Sequence, residues 1–130
     1  MGKKRAENQY PMKSLFDKGI LVTQATDYPV TTDINPLLGI QLGIIRQEVG
    51  LPETLLNPKE CVTFEQMMKA ATINAAYELK CENILGSIEV GKNADIVVLD
   101  SDITTCKPEK ITDAKVLKTM ISGEWVYTAK

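Results

Sequence analysis

The hydrophobic pattern of this chain changes period once, and that change limits the folds open to it. As far as Leu79, apolar residues recur mainly at helical spacing; beyond it they alternate with period two, broken by turn residues. The chain therefore divides near residues 80 to 90 into an α/β half and a β half, with no internal repeat and no low-complexity tract.

In the first half, Glu7 to Lys18 reads as a helix interrupted near its start by Pro11, with Gly19 where a C-cap belongs. Ile20 to Thr23 is short, apolar and β-branched, the pattern of a strand buried on both faces. A helix, a glycine and a buried strand make the αβ connection of a parallel α/β fold. Asn35 is placed to cap a helix opened by Pro36, and Leu37 to Ile45 is apolar nearly all round, so that helix is expected to be buried on most sides. Its glycines, Gly39 and Gly43, suit close packing against another element. After a turn-rich stretch from Gly50 to Lys59, Thr63 with Gln66 forms a capping box for an amphipathic helix ending near Leu79. Met67, Ala70, Ala71, Asn74 and Ala75 share one of its faces. In the second half, Ile96 to Leu99 reads as a buried strand, and Val116 to Ile121 and Glu124 to Tyr127 as strands joined at Ser122-Gly123.

The chain contains no histidine among its 130 residues. Ser-His-Asp and Cys-His nucleophile systems are thereby excluded, with every histidine-based metal site. The net charge of -2 offers no case for nucleic acid. The single basic cluster, Lys3-Lys4-Arg5, reads as a solvated end. No apolar run approaches the roughly 18 residues of a membrane span, and no apolar stretch follows the charged start as a secretory signal requires. Cys61, Cys81 and Cys106 form no C-x-x-C pair, which fits reduced cysteines in a cytoplasmic protein better than a structural zinc site.

Two segments resemble a known family. Leu85-Gly86-Ser87-Ile88-Glu89-Val90-Gly91-Lys92-Asn93-Ala94-Asp95-Ile96-Val97-Val98-Leu99-Asp100 is similar to the "G-S-I-x-x-G-K-x-A-D-[IL]-V-V-L-D" segment of the amidohydrolase superfamily. The likeness extends upstream into Ala70 to Ala76 and downstream into Thr119 to Tyr127, which resembles that family's "V-x-x-G-x-x-V-Y" ending. The segment from Tyr10-Pro11-Met12-Lys13-Ser14-Leu15 to Val30, with Asn35-Pro36-Leu37-Leu38-Gly39-Ile40, resembles the last barrel strand and following loop of the amidohydrolase-3, exoenzyme-regulator-like branch.

The resemblance implies an α/β fold in two pieces. Residues 1–84 would be the C-terminal piece of a (β/α)8 barrel, mainly helical with one strand. Residues 85–130 would be the C-terminal part of a composite β-sandwich-type domain, in a sheet of three to five strands. It implies one catalytic residue, Asp27, at the C-terminal end of the barrel strand, where such folds hold their chemistry. In the family this aspartate touches a divalent, zinc-type metal and takes a proton from its bound water. The usual "G-S-D" is here Ala25-Thr26-Asp27. The family's other ligands, an H-x-H pair, a carboxylated lysine or its substitute and two further histidines, lie upstream of this chain in the family order. No metal or other cofactor is therefore expected in this chain, and the isolated chain is expected to be silent, a lone carboxylate being too few ligands.

For the complete enzyme the resemblance implies metal-assisted hydrolysis of a carbon–nitrogen bond other than a peptide bond, on a small amide-type substrate. Read without it, Asp27 is a loop carboxylate capping backbone amides ahead of Pro29. Asp95 and Asp100 flank a strand at odd separation, so they read as turn and strand-end residues rather than a catalytic pair. Met67 and Met68 read as core filling, Trp125 as a sandwich-core or interface residue, and Asn35-Pro36 equally as a pocket lining or a helix start. The competing reading is a stand-alone, non-catalytic module from a truncated gene. It would self-associate through an exposed barrel edge at Ile20 to Thr23 and through an uncovered Leu37–Ile45 helix. A metal enzyme built on carboxylates and thiols alone is the least favoured reading.

Overall fold

The computed structural model describes residues 2–6 and 8–130. Among the described residues five α-helices, α1 (Lys3–Ala6), α2 (Met12–Asp17), α3 (Pro36–Ile45), α4 (Phe64–Ala71) and α5 (Ile73–Glu78), precede three strands, β1 (Ile96–Leu99), β2 (Val116–Ile121) and β3 (Glu124–Thr128). The architecture is α/β, with helices followed by a small antiparallel sheet of order β1-β2-β3.

Helix ends follow their local chemistry. Gly19 at φ 71° closes α2, donating its N–H to Phe16 O while Ile20 N–H reaches Leu15 O, the paired bonds of a left-handed C-terminal cap. The start expected at Glu7 lies outside the described residues, and α2 begins only after Pro11. Asn35 Oδ1 accepts Leu37 N–H at 3.0 Å, with Pro36 in the first helical position of α3. Both bonds of the Thr63–Gln66 capping box are present at α4. The helix expected to run on to Leu79 is divided at Thr72, whose φ and ψ of -128° and -95° leave the helical region. There the Thr72 hydroxyl donates back to Met68 O at 2.6 Å, a side chain competing with the backbone for a helical carbonyl.

The core lies between α3, α4 and the 3-10 segment Pro108–Asp113. Ile40, Val62, Met67 and Ile111 are its buried centre, flanked by Met12, Phe16, Leu37, Ile44, Phe64 and Met68. Burying side chains of this size contributes about 1.5–3 kcal/mol each. Gly43 admits the Met67 thioether where a Cβ would collide with it. The expectation that the Leu37–Ile45 helix lacks cover is thus corrected: Pro108–Asp113 and α4 pack on it, and Ile40, Gln41 and Gly43 are buried. Gln41 explains the recruitment, because its buried Oε1 accepts from Thr112 in that segment.

Two strand expectations are also corrected. Ile20–Thr23 forms no strand. It has no ladder partner among the described residues and is held by helices instead: Asn74 Nδ2 donates to Val22 O at 2.9 Å and Gln24 N–H to Ala70 O at 3.1 Å. β1 is a strand but not a buried one, since it edges a single sheet and Val97 is 55% exposed. Trp125, expected in a sandwich core or an interface, is not buried among the described residues. It stands half exposed, with Lys118 Nζ 5.2 Å from its ring. The β2–β3 hairpin turns at Ser122 and Gly123, both at positive φ as the primed two-residue turn requires.

Candidate functional site

Asp27 stands at the head of the loop between the helix-tethered segment 22–24 and α3. Its φ is 56°, and its carbonyl accepts Val30 N–H at 2.8 Å, so it begins a tight turn with its side chain exposed. Left-handed backbone is uncommon for residues other than glycine and is tolerated best by Asp and Asn. The Thr31 hydroxyl donates to Thr26 O, and Asp33 Oδ1 accepts Asn35 N–H at 2.8 Å. The loop is thus closed on itself at its start and delivered into α3 at its end.

Asn35 has two positions at once. It caps α3, and it lines an open groove of about 580 Å³ with Leu37, Asp100, Lys115, Leu117 and Tyr127. Asp27 does not line that groove.

The other acidic candidates have structural duties. Asp95 Oδ1 accepts Ser122 N–H at 2.7 Å, tying the entrance of β1 to the hairpin turn. Asp100 Oδ1 accepts Lys115 N–H at 2.9 Å; that bond, and then the Ser101 hydroxyl, hold its carboxyl below the usual carboxylate range. The Thr104 hydroxyl and amide do the same for Asp102. Asp95 and Asp100 therefore clamp the two ends of one strand and do not converge. The cysteines are unpaired, Cys81 Sγ lying 3.3 Å from Ala76 O and Cys106 Sγ 3.7 Å from Ile103 O.

The residues present do not fit a metal ion by themselves. Among the described residues no group of three or more Cys, Asp or Glu side chains converges, and transition-metal sites need three or four ligands. What the arrangement offers is one exposed carboxylate on a well-tethered turn.

Three polar residues outside the Asp27 loop tie its surroundings together. Gln41 had a visible signal in the sequence, being the one polar side chain in an otherwise apolar helix. Arg46 and Glu60 had none. Arg46 is buried and donates to Leu56 O at 3.1 Å and Gln9 O at 3.0 Å, while Glu60 accepts Ser14 N–H at 2.8 Å. These bonds join segments far apart in sequence.

The sequence profile of the Amidohydrolase family matches residues 1–127. N-substituted formamide deformylase of Arthrobacter pascens is 34% identical over 129 residues, which cover 95% of this chain and 23% of that protein. Protein LONG AFTER FAR-RED 3 of Arabidopsis thaliana is 32% identical over 128 residues, 98% of this chain and 21% of that protein. The chain thus spans less than a quarter of the length of these relatives. Among solved structures, an amidohydrolase from Thermotoga maritima superposes with a TM-score of 0.68 at 24% identity, over 91% of this chain and 26% of that one, a likeness of fold.

Proposed function

The chain belongs to the amidohydrolase family, and from that premise we propose that it supplies the C-terminal portion of a metal-dependent enzyme hydrolysing a carbon–nitrogen bond other than a peptide bond. The observation that carries this reading is the family match over residues 1–127, in a chain less than a quarter as long as its deformylase relative. On this reading residues 1–84 end a (β/α)8 barrel and residues 85–130 belong to a β-sandwich-type domain. The substrate is a small amide-type molecule; the formamides in the name of the Arthrobacter protein are of that class. A cytoplasmic location is part of the proposal, supported by three unpaired cysteines.

Asp27 is the carboxylate this chain contributes. In the complete enzyme Asp27 would be one ligand of a zinc-type ion whose other ligands would come from outside these 130 residues, and the 130-residue chain alone is inactive. The test compares the chain with a complete amidohydrolase ending in it. The chain, dialysed against zinc, is expected to retain no stoichiometric metal and to turn over no N-substituted formamide. In the complete enzyme Asp27→Asn is expected to lower kcat/KM by roughly 10²–10⁴-fold, the range for a proton-transfer group. Turnover by the short chain would refute its inactivity, and an unchanged kcat/KM in the variant would refute the role of Asp27.

A second reading rests on Ile20 and Leu21, apolar and 47% and 44% exposed on a segment without ladder partners among the described residues. There the chain is a non-catalytic module that self-associates through these exposed apolar side chains. A monomeric mass by sedimentation, with the amides of residues 20–23 protected from exchange, excludes it.

A further inference from the structure

Gly39 sits inside α3 at ordinary helical φ, where glycine is a poor helix former and no backbone requirement excludes alanine. What stands in its way is the Gln24 side chain, which would have to turn aside to admit it. A methyl group on Gly39 would meet Gln24 Cδ at 2.8 Å and Cγ at 3.3 Å, and Nε2 closer still. The Gln24 side chain therefore occupies the notch that the missing Cβ leaves. Its Oε1 is buried with no hydrogen-bond partner among the described residues, so the side chain is held by fit rather than by that oxygen.

The notch lies one turn into the helix at whose start the same loop ends. Gln24 is anchored over Gly39, and its own N–H is fixed on Ala70 O. Asn35 is fixed at the N-terminus of α3 by its cap. Both ends of the loop that carries Asp27 thus rest on α3, the first of them also on α4 through Ala70, with the Asp27–Val30 turn between them.

We infer that Gln24 is a positioning residue for Asp27: seated in the Gly39 notch, it sets the separation of segment 22–24 from α3 and so the place where the Asp27 turn begins. The inference rests on the reading of Asp27 as the site carboxylate.

Amide exchange in the 130-residue chain, followed by NMR, tests the positioning. Gly39→Ala is expected to accelerate exchange at the Gln24 and Val30 amides roughly tenfold, as local opening does, while Met67 N–H in α4 keeps its protection. Gln24→Ala is expected to loosen the same two amides, and adding it to Gly39→Ala to restore them, since the new methyl then fills the space vacated. Gln24→Met, equal in length but without the carboxamide, is expected to keep both protected. The inference is overturned if Gly39→Ala leaves both amides unchanged, if the double variant is no better than Gly39→Ala, or if Gln24→Met loosens the turn as much as Gln24→Ala. In the complete enzyme Gly39→Ala is expected to lower kcat more than it raises KM, with recovery in the double variant. If the amides respond as expected and kcat does not, the positioning stands and the assignment of Asp27 fails.

Discussion

Gln41 and Thr112, 71 positions apart, are joined twice: Gln41 Oε1 accepts both the amide N–H and the hydroxyl of Thr112 at 3.1 Å, and Gln41 is 2% exposed. The pair fastens the Pro108–Asp113 segment across α3 and so covers Ile40 with Ile111. Replacing Gln41 by alanine removes one acceptor and strands two donors. Unpaired buried donors cost about 1–3 kcal/mol and the Thr112 donors are part-buried, so Gln41→Ala is expected to lower the unfolding free energy by about 1 kcal/mol, read as a lower urea midpoint, with α4 and the sheet losing structure together. Loss of the sheet signal alone would show that the segment does not couple the two halves.

That bond illustrates what the residues disclose in order and what they do not. The Gly19 cap, the Asn35-Pro36 start, the Thr63–Gln66 box and the Ser122-Gly123 turn are each decided within a few positions, and each was legible. Ile20–Thr23 was not. An apolar β-branched run carries the chemistry of a strand but not the identity of its partners, and here Asn74 and Ala70 of the helices take its polar groups. Thr72 is a related case, its hydroxyl turning to Met68 O and dividing one continuous apolar face. The reading of Asp27 as a site residue rests on family resemblance alone. Its exposed turn carries no local mark of chemistry, and the groups that would complete a site are not among its neighbours here.

Glu60 predicts a pH dependence. The Ser14 hydroxyl, followed by the Ser14 amide, holds its carboxyl below the ordinary value of 4.5. Because the folded value is the lower one, this contribution is present in full above about pH 4.5 and is lost as pH falls through the folded value. Glu60→Gln removes the charge but not the shape. Urea midpoints of the two proteins are expected to differ near neutral pH and to converge in acid. Parallel curves over that window would show that the Ser14–Glu60 contact contributes no linkage.

The capping box predicts a modest, local loss. Thr63 Oγ1 accepts Gln66 N–H at 3.1 Å and Gln66 Oε1 accepts Thr63 N–H at 2.9 Å. Thr63→Ala removes the first of these and is expected to cost about 1 kcal/mol, within the usual range of 0.5–2 kcal/mol for such caps. Thr63→Ser keeps the hydroxyl and is expected to recover most of it. Equal losses in the two variants, measured by urea denaturation, would assign the effect to the lost methyl group instead.

Gly86 and Gly91 separate two reasons for a glycine. Both stand at strongly positive φ, 90° and 95°, in the connection between α5 and β1. A Cβ on Gly91 would have nothing within 4 Å, whereas one on Gly86 would lie 2.7 Å from Ala76 Cβ and 2.9 Å from Ile73 Cα. The second contact is with helix backbone, which has no rotamer by which to give way. Gly91→Ala is therefore expected to cost only the backbone strain, about 1–3 kcal/mol for a residue held in a sparsely populated conformation. Gly86→Ala carries that strain and must also displace the connection from α5, so its unfolding midpoint is expected to fall clearly below that of Gly91→Ala. Its disturbance should be centred on α5 and the turn that follows it, Ala76 N–H and Cys81 N–H exchanging faster, while the β2–β3 hairpin stays protected. Equal midpoints for the two variants would mean that α5 shifts to admit the methyl at little cost, and that the close approach of Gly86 to Ile73 and Ala76 contributes nothing to holding this connection against the helix.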